Sequence, residues 1–80
     1  MVYYSIPQGP GDRADRFEGE TPADVVTVMA RFVFPDRDPA AHMLETAERA
    51  AAWNGAVIDP FTPETFLRTM EENNFLRRES

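Results

Sequence analysis

His42 is the one histidine of this 80-residue chain, and it is the first place to look for chemistry. Its ring ordinarily titrates at about 6.5, so it can give or take a proton near neutral pH. Nucleophilic catalysis would need a serine or cysteine beside it and an acid to orient it. The chain has no cysteine and no lysine, and its only serines are Ser5 and Ser80. No nucleophile-elbow sequence surrounds Ser5. Metal binding has two leads. Glu45 follows His42 by three residues, so the two share a helix face, and Asp36 and Asp38 flank Arg37 just upstream. A zinc centre needs three or four converging ligands, and the calcium-loop pattern is missing. Glu71 and Glu72 are adjacent near a helix end and point in different directions, and no acid sits in an apolar run that would raise its pKa. Gly9-Pro10-Gly11 lacks the lysine and the helix start in register that a phosphate cradle requires. The expectation is a protein that is not an enzyme and holds no metal or cofactor.

Recognition is the chemistry these residues favour. His42, Thr46, Arg49 and Trp53 are spaced four, three and four apart, so they line one side of a helix. Ala40, Met43, Leu44, Ala47, Ala50 and Ala51 form an apolar stripe on the same segment, expected to face the core with the first stripe opposite it. A tryptophan off the core face, next to arginine, has the composition of an interface anchor. The competing expectation is that Trp53 covers the N-terminal strands and completes a thin core. Asp36, Asp38, Glu45 and Glu48 surround the stripe and are expected to meet a basic partner surface. Tyr3, Ser5 and the tip of the N-terminal hairpin form a second candidate surface.

Charge narrows the partner. Fourteen acids against eight bases leave −6, and every base is arginine. That balance argues against direct binding of nucleic acid, which needs a basic face, and against an anionic membrane surface. Acids can imitate phosphates on a basic groove, although here they are interleaved with arginines rather than run together. A chain this short buries only roughly 60–65% of its unfolded surface. Without a disulfide it must gain stability from helix packing, self-association or a partner. A structural homo-oligomer is therefore the alternative to a protein-binding module. No apolar run approaches the roughly 20 residues of a membrane span. Met1-Val2-Tyr3-Tyr4-Ser5 has no basic region or signal-length apolar stretch, so the expected location is cytoplasmic.

Two stretches resemble short reading frames carried by phages and other mobile elements of GC-rich bacteria. They are Phe17-Glu18-Gly19-Glu20-Thr21-Pro22-Ala23-Asp24-Val25-Val26-Thr27-Val28-Met29 and Phe61-Thr62-Pro63-Glu64-Thr65-Phe66-Leu67. The resemblance implies a small accessory protein that acts by binding. Anti-CRISPR and other anti-defence inhibitors are similar in size and acidity, which makes a host nucleic-acid-binding protein the implied partner.

The elements that must position these residues announce themselves through a repeated phrase. Thr21-Pro22, Asp38-Pro39 and Thr62-Pro63 each place a capping oxygen before proline at the first helical position. We expect a first helix over 21–34, with Val25, Val26, Met29, Phe32 and Val33 inward. A second over 38–54 stops at Asn54-Gly55. A third over 62–74 carries a Phe61–Phe66 hydrophobic staple and a left-handed end at Asn73-Asn74, which folds Phe75 or Leu76 back towards Met70. Residues 1–20 read as a β-hairpin. Val2, Tyr4 and Ile6 form the apolar face of its first strand, and Phe17 points inward from its second. Residues 56–59 are extended and open to pairing as a third strand, and 75–80 form a tail. The sum is one small α+β domain.

Overall fold

The computed structural model describes residues 1–32 and 34–79. All three helices begin at the capping phrases. Thr21 Oγ1 accepts the Asp24 N–H (3.2 Å) at the head of α1 (Pro22–Ala30). Asp38 Oδ2 accepts the Ala41 N–H (3.3 Å) at the head of α2 (Pro39–Asn54). Thr62 Oγ1 accepts the Thr65 N–H (3.1 Å) at the head of α3 (Pro63–Glu72). Their ends are equally local. Gly55 takes the left-handed conformation (φ 73°) and donates to Ala51 O. Asn74 does the same after α3 (φ 63°), with Asn74 N–H on Glu71 O and Phe75 N–H on Met70 O at 2.9 Å. That pair of bonds is a Schellman motif, and it turns Phe75 back onto Met70.

α1 stops short of the expected length. Arg31 closes it and a turn follows at Phe32, while Pro35 disfavours helical geometry at Phe34, the residue before it. Phe32 is left half exposed, its ring meeting Phe17 edge-on at 5.5 Å. Val33 lies outside the described residues.

The sheet contains β1 (Val2–Ser5), β2 (Arg16–Glu18) and β3 (Leu76–Arg78) in the order β2-β1-β3, antiparallel throughout. The third strand therefore comes from the segment expected to be a tail, not from 56–58. The Schellman turn aims the chain back along β1. Meanwhile residues 55–62 are occupied in returning alongside α3, held by Asn73 Nδ2 on Val57 O and by Asp59 N–H on Thr69 Oγ1. The expected inner face of β1 holds only in part: Val2 is buried, but Tyr4 is not. Tyr3, paired with Phe17, is the core residue at 4% exposure. Tyr4 pairs with Arg16 and Arg77 on the outer side, and the Arg77 guanidinium lies 4.8 Å from its ring centre.

The result is an α+β fold with helices on one side of the sheet. α1 meets β2, α3 meets β3, and the two helices meet each other, so Val25, Val26, Phe66 and Leu67 are completely enclosed. α2 leans on α1 as the outer helix. Gly19 lets β2 run close to α1: a Cβ there would lie 2.6 Å from the Asp24 Cβ. The expected Phe61–Phe66 staple does not close. Asp59 Oδ1 accepts the Phe61 N–H at 2.9 Å, and this turn leaves Phe61 in solvent while Phe66 is buried.

Candidate functional site

Which way α2 faces decides the site. Met43 and Ala50 are buried and Ala47 partly so, but Leu44 is 51% exposed and Ala40 and Ala51 face solvent. The buried face is thus turned towards His42 and Thr46, which are half-buried. The His42–Trp53 stripe borders the core instead of opposing it. Alanines bury so little area that they cannot hold the helix in the other rotation.

His42 meets the edge of Phe66 with ring centres 6.0 Å apart. Among the described residues neither of its nitrogens has a hydrogen-bond partner, and the same holds for Thr46 Oγ1. Burial lowers the His42 pKa, helped by the positive charges of Arg37 and Arg49 and opposed by Glu45. The charged form of the imidazole is therefore disfavoured, and among the described residues no hydrogen bond orients the ring.

Beyond the His42–Phe66 contact, α2 and α3 part, and a cleft of about 140 Å³ opens between the C-terminal half of α2 and the end of α3. Ala50 and Met70 are its buried residues, and Trp53 and Phe75 its aromatic ones. Thr46 and Arg49 border it from α2. Gln8 closes it from the β1–β2 loop, its amide donating to Ile6 O (2.8 Å) and Asn74 O (3.2 Å). Trp53 is 72% exposed. Arg49 has no ion-pair partner among the described residues.

Of the expected partner-binding residues, the fold gathers Thr46, Arg49 and Trp53 at the cleft. His42 turns inward beside them. Glu45 is engaged by Arg37 and Asp38 by the head of α2, while Asp36 and Glu48 are exposed away from the lining. Tyr3 is removed from the second candidate surface by burial, which also raises its phenol pKa. Sequence reasoning missed Gln8, Met70 and Phe75 as site residues. The Asn73-Asn74 ending was a signal for Met70 and Phe75 lying together, whereas nothing local placed Gln8 there.

The cleft is too small for a cofactor, since such pockets hold about 300 Å³ or more, and suits one side chain. A second, more open hollow of about 410 Å³ lies between the heads of α1 and α3. Thr21 and Thr62 are spent there on capping, and Asp24 and Glu64 already supply the negative charge that helix heads favour. Among the described residues no three metal-ligating side chains converge, and no helix is long and apolar enough to cross a membrane. Compared with protein-family models, curated proteins and solved structures, the chain has no match in any of the three.

Proposed function

We propose that this chain is a small acidic protein-binding module that docks through the cleft between α2 and α3. The observation that carries this reading is Trp53, largely exposed beside an apolar cleft and next to Arg49, which has no ion-pair partner among the described residues. Tryptophan and arginine around a pocket are the usual anchors of a protein interface. An indole left in water gains little from folding and much from being covered. The net charge of −6 steers the module towards a basic partner surface, with Asp36, Asp38 and Glu48 among the exposed acids. Its specific form is an inhibitor of a host nucleic-acid-binding protein. The acidity supports this, as does the resemblance of residues 17–29 and 61–67 to phage-carried frames.

The test is a tagged pull-down from nuclease-treated bacterial lysate, with Trp53→Ala and Arg49→Glu as parallel baits whose melting is checked first. A stoichiometric partner held by the wild type and lost by both variants is the expected result. Equal capture by all three baits would move the docking surface elsewhere. A nucleic-acid-binding partner supports the inhibitor form, and a partner of another kind removes it.

A further inference from the structure

We infer that protonation of His42 releases α2 as a unit, so that mild acid takes the cleft apart while the sheet, α1 and α3 stay folded. α2 is the least fastened element. Among the described residues its hydrogen bonds and its ion pair end within the helix or on its own flanks, at Arg37, Asp38, Gly55 and Ala56. None of them reaches α1, α3 or the sheet. The side chains it buries fully are Met43 and Ala50, whereas Val25 and Val26 of α1 and Phe66 and Leu67 of α3 are completely enclosed. Release therefore breaks no polar tie to the rest of the fold and gives up little of the helix's own apolar area. Elements held in this way open at the low end of the stability range.

The chain beyond each end of α2 is anchored, which gives the helix its pivots. On one side Phe32 packs edge-on against Phe17. On the other, Val57 O accepts from Asn73 Nδ2 (3.3 Å) and Asp59 N–H donates to Thr69 Oγ1 (3.0 Å), so this connection stays with α3. Gly55, left-handed and with open space around it, can take the bend between them.

His42 supplies the trigger. Its two nitrogens are buried without partners among the described residues, and its ring meets Phe66 of α3. An imidazolium has two N–H donors to satisfy, and water supplies acceptors for them only when α2 lifts. Burial disfavours the charged ring in place, Arg37 and Arg49 add to this, and Glu45 opposes it. α1 and its cap carry Asp24 and Arg31, and α3 carries Glu64, Arg68, Glu71 and Glu72. None of these acts on the ring, and all but Glu71 are exposed. The released ring titrates at its ordinary value of about 6.5, above its value in the closed fold. Between the two, each unit of falling pH raises the open population by up to about tenfold.

Native-state hydrogen exchange from about pH 7.5 to about pH 5.5, corrected for intrinsic rates, is the test. The range stays above that of ordinary carboxylates. The Hε1 signal of His42, the one histidine, is followed in the same samples. The α2 amides should exchange through a smaller opening than those of β1, α1 and α3. Their protection should fall by up to about tenfold per pH unit as the ring protonates, while that of β1 and α3 holds. His42→Leu should remove the pH dependence. Exchange of α2 in step with β1 and α3 overturns the inference, and so does a ring that protonates while α2 stays protected. The same pH dependence kept by a folded His42→Leu overturns it as well. Release needs no partner, so the pull-down decides separately whether another protein docks at the cleft.

Discussion

His42 and Thr46 hold buried polar atoms that have no hydrogen-bond partner among the described residues. A buried polar atom without a partner costs about 1–3 kcal/mol, and this pair contributes three such atoms on successive turns of α2. The consequence for His42 can be measured through pH. Its folded pKa lies below the ordinary value of about 6.5, chiefly through burial. Above that value the ring is neutral in both folded and unfolded chains. Below it the unfolded chain binds a proton that the folded chain refuses. Stability is therefore lost as pH falls, by up to about 1.4 kcal/mol per unit, until the lower folded pKa is reached. Urea unfolding at about pH 7.5 and about pH 5.5 should show this loss in the wild type and a smaller one in His42→Leu. Equal losses would mean that the ring takes up its proton without leaving the fold. At this scale the spacing of His42, Thr46, Arg49 and Trp53 was legible, and their angle to the core was not. Spacing depends on helix geometry alone, whereas the angle depends on what Phe66 and Val25 leave room for.

The starts of all three helices and the ends of α2 and α3 were legible because caps are local. A threonine or aspartate before proline, a glycine after the last turn and an asparagine pair all act on groups within about four residues. Strands lack such signals. Each face of β1 carries one tyrosine, so alternation alone could not choose between them, and pairing with Phe17 put Tyr3 inside. The packing of β2 against α1 depends on Gly19, whose absent side chain leaves room for the Asp24 Cβ and the Val25 backbone N–H. Gly19→Ala should destabilise the protein by about 1–3 kcal/mol, because backbone and not a flexible side chain must move. Chemical denaturation measures this directly, and a change within about 0.5 kcal/mol would show that β2 can lift away from α1 freely.

Closure of the whole molecule depends on its two ends meeting. The amino terminus donates to Gly19 O at 2.8 Å, and Glu79 N–H donates to Val2 O at 2.9 Å, so β1 is held on both edges. Leu76 anchors β3 in the core from the far end of the chain. Leu76→Ala should cost about 2–5 kcal/mol. That is a large share of the roughly 4–12 kcal/mol expected for a chain of this length. Urea unfolding will show it as a lower midpoint, and a loss under about 1 kcal/mol would mean that β3 contributes little to the fold. The residue order alone settled where the three helices start, where α2 and α3 stop, and that two strands precede them. These features follow from hydrogen bonds and charges between near neighbours. Tertiary structure decided which segment became the third strand, which side of α2 was buried, and that Gln8 would meet Asn74 across 66 residues to close the cleft beside Trp53. Those outcomes come from distant segments competing for the same buried surface, and local preference has no term for that competition.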